Sequence, residues 1–137
     1  MTLVLDASVV VKWLFNDPER ESDTARATAL MSAVARGGCD VLQPPHWLLE
    51  VAAVIARETP ARAEQDVRML EALALPARMD SAILARACRL SVDLRHHLFD
   101  TLYQAVALEC GAPLVTADVR YYRKVQTSVC VKHLRDW

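Results

Sequence analysis

The 137-residue chain has no apolar run near the ~20 residues that cross a bilayer, so no membrane-spanning helix is expected. The apolar stretch at its N-terminus has no charged segment ahead of it. That excludes an ordinary signal peptide, and we expect a cytoplasmic protein. Neither sign of charge dominates: the net charge is −1 and the pI near 6.4, so any nucleic-acid function needs a local patch. Cys39, Cys88, Cys110 and Cys130 contain no C-x-x-C pair. Their even count would allow disulfides, but a core-rich chain without an export signal favours buried thiols. His46, His96, His97 and His133 have no zinc-finger spacing and read as surface or packing residues. Ser8 lacks the G-x-S-x-G turn of a hydrolase nucleophile, and Gly37-Gly38 lacks a phosphate-loop context. Asp6-Ala7-Ser8 lacks the second carboxylate of an aspartyl-phosphate loop. Aromatics are only 6% while hydrophobic residues reach 53%, which points to some apolar surface covered by a partner.

What is present is an alternation of strands and helices. Met1 to Leu5 reads as a buried strand, and Ala7 to Phe15 as a helix ended by Asn16-Asp17-Pro18. Ser22 to Arg36 is a second helix, stopped by Gly37-Gly38. Asp40 to Gln43 is a short strand, followed after Pro44-Pro45 by an apolar helix from His46 to Glu58. Thr59-Pro60 predicts a fresh helix start, Thr as cap and Pro in the first turn, running to about Leu73. Leu75 to Met79 is extended, at most an edge strand because of Pro76. Asp80 caps a helix to about Leu94, and Phe99 to Cys110 is a helix stopped by Gly111. Pro113 to Thr116 and Val129 to Lys132 are the last strands, with a short basic-aromatic segment from Val119 to Lys124 between them. This order predicts an α/β domain whose sheet is mostly parallel and covered on both faces.

In such a sheet the ligand site lies beyond the carboxyl ends of the strands. Asp6 follows the first strand and Asp118 the strand ending at Thr116. Asp100 opens the helix Phe99-Asp100-Thr101-Leu102-Tyr103-Gln104, and Glu50 lies early in an apolar helix. Each has a plainer reading. Asp6, Asp100 and Asp118 sit where helix caps sit, Thr101 with Gln104 has capping-box spacing, and Glu50 is compatible with a narrow solvated stripe. Jointly they predict one acidic cluster. Two unit charges ~5 Å apart at an effective dielectric of ~20 repel by about 3 kcal/mol, so a cluster needs a cation. All-oxygen ligands favour Mg²⁺ or Mn²⁺ over zinc, and such ions serve phosphodiester hydrolysis.

Three further features complete the pattern: Val4-Leu5-Asp6-Ala7-Ser8, then Pro44 through Leu49-Glu50-Val51, and Val115-Thr116-Ala117-Asp118 followed by Tyr121-Tyr122. With Phe99 through Ala105 and Gly111, their order and spacing resemble the PIN domain, in particular the VapC-type toxin ribonucleases of bacterial toxin–antitoxin pairs. The resemblance covers the whole chain as a single domain, residues 1–137. It implies a three-layer α/β/α fold with a mostly parallel sheet of four or five strands. It implies Mg²⁺- or Mn²⁺-dependent endoribonuclease activity, an RNA substrate, an antitoxin protein that docks partly on the helical first half, and a homodimer. Carried over by position, Asp6, Glu50, Asp100 and Asp118 form the catalytic and metal set, with Ser8 and Thr116 as supporting hydroxyls. Asp6 and Asp100 would bind the main metal, Asp118 directly or through water, and Glu50 would bind it or orient the attacking water. The segment Val119 to Lys124 departs from the family pattern while keeping its basic-aromatic character, and offers Arg120, Tyr121, Arg123 and Lys124 as RNA contacts. The competing functions are a catalytically weak RNA-binding or regulatory module and a housekeeping RNA-processing nuclease.

Overall fold

The structure is a computed structural model that describes residues 1–15, 17, 19 and 22–137. Strand β1 (Thr2–Leu5) leads directly into α1 (Ala7–Phe15), and α2 (Thr24–Ala35) precedes β2 (Asp40–Val41). Helices α3 (Trp47–Glu58), α4 (Ala63–Ala72), α5 (Ser81–Leu94) and α6 (Leu98–Cys110) follow. The chain ends with β3 (Leu114–Thr116), α7 (Val119–Val125), β4 (Val131–His133) and a single 3₁₀ turn. The helix break expected at Asn16-Asp17-Pro18 falls partly outside the described residues.

The four strands pair in the order β2-β1-β3-β4, all parallel. Alternate residues of β1 face opposite layers. Leu3 and Leu5 pack with Val41, Val115 and the α2 residues Ala27, Leu30 and Met31. Val4 packs with Leu114, Val131 and the α3 and α6 residues Val51, Ile55, Leu102 and Val106. Two apolar cores therefore flank one sheet, the three-layer arrangement the sequence predicts. Each buried Leu, Ile or Val contributes ~1.5–3 kcal/mol. A core of this size holds against a few kcal/mol of charge repulsion at one edge.

Leu75 to Met79 makes one isolated parallel bridge, Ala77 to Gln43, instead of a full strand. Gln43 is the joint of this edge. Its backbone N–H donates to Pro76 O at 2.9 Å and its C=O accepts from Arg78 N at 2.9 Å. Its buried side chain accepts from Leu5 N at 2.9 Å and donates to Leu5 O at 2.8 Å. A side-chain amide thus extends the β1 ladder past the end of β2, up to the residue before Asp6.

Three expectations need correction. Thr59 does not start a helix; its hydroxyl and N–H both donate to Ile55 O, at 3.2 and 2.8 Å, and close α3, so α4 begins at Ala63. The apolar helix expected from His46 starts at Trp47 and buries one face only: Trp47, Val51 and Ile55 face the core, while Leu49 is 73% exposed. All four cysteines are free, but Cys39 alone among them is buried and Cys88 is exposed. Asp80 and Gly111 act as predicted. Asp80 accepts from Ile83 N at 2.9 Å, and Gly111 ends α6 at φ +63°, a conformation that suits a residue without Cβ.

Candidate active site

The sheet order changes direction between β1 and β3, because the chain goes from β1 outward to β2 and then returns to β3 on the other side. That switch point opens a crevice at the strand carboxyl ends. Asp6 follows β1 there, and its N–H donates to Val115 O at 3.0 Å. Its side chain accepts Ser8 N–H at 3.1 Å and also the Ser8 hydroxyl. Ser8 Oγ in turn accepts from Ala117 N at 3.0 Å, so one hydroxyl ties the end of β1 to the segment after β3. Asp118 begins α7 and accepts Tyr121 N–H at 3.1 Å, while its own N–H donates to Thr116 Oγ1 at 3.1 Å. Capping and clustering are therefore compatible at Asp6 and Asp118.

Asp100 is not a cap. Helix α6 starts at Leu98, which puts Asp100 in the first turn with its carboxylate free of backbone donors among the described residues. Thr101 is not a cap either: it is buried, and its hydroxyl donates to Ala87 O at 2.9 Å. Glu50 lies in the first turn of α3 and accepts the Tyr103 hydroxyl at 2.6 Å.

The electrostatics link all four acids. Burial pushes the Asp6 carboxyl up to about 6; the Ser8 bonds oppose this, and the negative charges of Asp100 and Asp118 add to it. Burial raises Glu50 to about 7 against the pull of the Tyr103 hydroxyl, with Asp6 and Asp100 contributing repulsion. A cationic partner would lower both values. Tyr103 is itself raised, by burial first and then by Asp6 and Glu50. The fold thus brings Asp100 and Asp118 within electrostatic reach of Asp6, and Asp6 and Asp100 within reach of Glu50, at the carboxyl end of the sheet.

Histidines supply what the sequence reading missed. His96 sits with its side chain 6% exposed, and its Nε2 lies 2.7 Å from Asp100 Oδ2. Its Nδ1 is 3.1 Å from Lys124 Nζ, which also donates to Arg95 O at 3.1 Å. Lysine can only donate, so Nδ1 accepts and the Nε2–H donates to Asp100. His96, Asp100 and Asp118 each offer a ligand atom within 4.8 Å of the others, a group able to hold a metal ion. His46 stands beside the other acid, with Nε2 3.6 Å from Glu50 and 2.8 Å from Phe99 O. Both pairs have i,i+4 spacing on or just ahead of a helix, a signal readable in sequence.

A pocket of about 300 Å³ beside Asp100 and Asp118 is lined by Ser91, Arg95, His96, His97, Arg120 and Lys124. Of the candidate RNA contacts, Arg120 and Lys124 face this pocket, and Arg123 is exposed outside its lining. Tyr121 is turned inward: it is 2% exposed and its hydroxyl donates to Gln104, so it cannot stack a base.

The three-layer fold with carboxylates gathered at its switch point defines the class of the chain. The PIN domain family matches residues 3–126, and the chain belongs to that family. No curated protein matches the sequence. Among solved structures the chain is similar to VapBC2 of Rickettsia felis, crystallised with a DNA fragment from its promoter. The TM-score is 0.68 at 11% identity, covering 97% of this chain and 98% of the other. It is also similar to VapBC-1 of nontypeable Haemophilus influenzae (TM-score 0.65, 15% identity, 98% and 99% covered). PAE2754 of Pyrobaculum aerophilum gives 0.63 at 15% identity, with 99% and 91% covered. These likenesses concern the fold. Among the described residues no helix is long and apolar enough to cross a membrane.

Proposed function

We propose that the chain is a metal-dependent endoribonuclease and the toxin of a type II toxin–antitoxin pair. The observation that carries this reading is the gathering of acids at the switch point, where Asp100 and Asp118 offer ligand atoms with His96 within 4.8 Å of one another and lie within charge reach of the buried Asp6. Such a donor set fits a hard divalent cation, Mg²⁺ or Mn²⁺. Asp6, Asp100 and Asp118 would hold it, with Glu50 at its margin. When bound, the ion would supply activation of a water and stabilisation of the leaving oxygen.

The chain's own groups do the rest. Ser8 and Thr116 fix the two strand-end aspartates through the contacts described above. Glu50 keeps one oxygen on the Tyr103 hydroxyl and has the other for the proton of the attacking water. Arg120 and Lys124 line the pocket that also holds Asp118 and would receive RNA phosphates.

The toxin part of the reading draws on the fold likeness to two VapBC structures. A groove of about 380 Å³ between α1, α3 and α4 has Val11, Leu14, Phe15 and Val54 in its lining, with Arg57 and Arg62 paired to Glu58 and Asp66 at its rim. It would take an apolar segment of the antitoxin. The reading also entails a cytoplasmic homodimer.

The test is cleavage of RNA by purified protein in Mg²⁺ or Mn²⁺, beside Asp6→Asn and Asp100→Asn. Both variants are expected to lose more than the ~10–100-fold typical of outer-shell groups, with the fold retained by circular dichroism. Undiminished cleavage by Asp6→Asn, with contaminating nuclease excluded, would remove Asp6 from the mechanism. Specific RNA binding without any metal-dependent cutting would favour the binding-module alternative.

A further inference from the structure

The basic-aromatic segment after Asp118 presents no open aromatic face: Tyr121 is buried and Tyr122 is half-buried against His133. Of three Trp, three Tyr and two Phe, Phe99 alone is exposed, at 58%. It precedes Asp100 at the start of α6, and outside the lining of the pocket that holds Arg120 and Lys124.

The Phe99 ring is held in place. It lies against the His46 ring at 5.3 Å between centroids, and His46 lies against Tyr103 at 5.0 Å. The His46 Nε2–H donates to the Phe99 carbonyl at 2.8 Å, which pins backbone and imidazole together. Tyr103 then reaches Glu50 at 2.6 Å. Three rings thus run from the surface to a carboxylate of the cluster, and the outermost has a face open to solvent.

A phenyl face pre-positioned next to Asp100, with Arg120 and Lys124 in the pocket beside the same aspartate, has the chemistry of a single-stranded nucleobase platform. We propose that Phe99, backed by His46, stacks one base of single-stranded RNA next to the cleaved phosphate, while Arg120 and Lys124 hold the backbone. This rests on the nuclease reading above and gives it a substrate subsite. It also implies an unpaired substrate at this position, since a base inside a duplex has no free face to offer.

The experiment compares wild type, Phe99→Ala and Phe99→Tyr on a short single-stranded RNA, intact or with an abasic nucleotide at successive positions around the cut. Stacking on an aromatic is lost by alanine at a cost of ~10–100-fold, so KM for Phe99→Ala is expected to rise by about that factor. Phe99→Tyr should restore it to within about twofold, since phenol and phenyl faces stack alike. One abasic position should reproduce the loss on wild type and add nothing on Phe99→Ala. A KM for Phe99→Ala within about twofold of wild type, or an abasic penalty equal in both proteins, overturns the proposal. So does a Phe99→Ala that turns a wild-type dimer into a monomer while its abasic penalty persists; the ring would then belong to a protein interface. Should wild type cut no RNA, the nuclease reading fails separately, and fluorescence of a 2-aminopurine strand decides the subsite. Quenching by wild type and not by Phe99→Ala upholds the stack, and equal quenching overturns it.

Discussion

The helix starts at α3 and α6 each bring a histidine and a carboxylate to the same cluster with the same spacing, His46 to Glu50 and His96 to Asp100. The outcomes differ. His96 donates to Asp100 at 2.7 Å and is itself held by Lys124. His46 stands 3.6 Å from Glu50 and spends its N–H on the Phe99 carbonyl, leaving Glu50 to the Tyr103 hydroxyl. Spacing along a helix brings two side chains together; which of them bond depends on what else offers an acceptor. The difference divides the cluster into a charged half around Asp100 and Asp118, with Lys124 behind it, and a neutral aromatic half around Glu50.

The largest test of this division is His96→Ala. It removes the donor that orients Asp100 and breaks the link to Lys124. Loss of such an outer-shell bond costs ~10–100-fold in metal affinity. We expect that loss in a Mn²⁺ titration followed by electron paramagnetic resonance. His96→Gln, which keeps an N–H for Asp100, should recover part of it. Equal Mn²⁺ affinity in wild type and His96→Ala would mean that the two halves do not differ in how they are braced.

Next in size is the dependence on pH. Asp6 rises from 3.8 to about 6 and Glu50 from 4.5 to about 7 in the folded state. A carboxyl raised by folding binds its proton more tightly when folded. It favours the fold fully below its unfolded value, and that contribution is lost as pH climbs through the folded one. For the fully buried Asp6 this amounts to at most about 3 kcal/mol between pH 4 and 7. Thermal melts in EDTA should therefore show Asp6→Asn gaining on wild type as pH rises from 5 to 8. Mn²⁺ should reverse the order, because it binds the ionised carboxylate of wild type. A constant gap between the two proteins at all pH values would show that Asp6 is ordinarily acidic in the fold. On the neutral half, Tyr103→Phe removes the donor that favours ionised Glu50. The acid limb of the cleavage profile should then move to higher pH by up to about one unit.

The sheet and the strand-end aspartates were legible because they rest on local signals: short apolar runs, a carboxylate directly after each, and Gly111 or Asp80 at helix ends. Asp100 and Glu50 were placed by order and spacing. No two histidines have ligand spacing, so the sequence reads them as surface or packing residues, whereas the structure sets two of the four, His46 and His96, beside an acid four residues on. Gln43 and Tyr103 gave no local signal at all. Their partners, Leu5 and Glu50, are 38 and 53 residues away, and only the folded chain makes a side-chain amide continue a ladder or a phenol hold a carboxylate. Tyr121 failed in the opposite sense: its basic neighbours suggested exposure, but the first turn of α7 directs it at Gln104.

The smallest effect is expected at His46, and it is the one that best separates the two halves. His46→Ala leaves the Tyr103–Glu50 bond in place, so Mn²⁺ affinity should fall by less than the ~10-fold lower bound for an outer-shell group. What it does remove is the backing of the Phe99 ring. An exposed phenylalanine without that contact regains rotamer freedom worth ~0.5–1.5 kcal/mol, which is paid again when a base binds. That predicts a rise of about 2- to 10-fold in KM for single-stranded RNA. A His46→Ala protein that loses metal as severely as His96→Ala would merge the two halves into one metal shell. A protein with unchanged metal affinity and a raised KM would assign the aromatic half to the substrate.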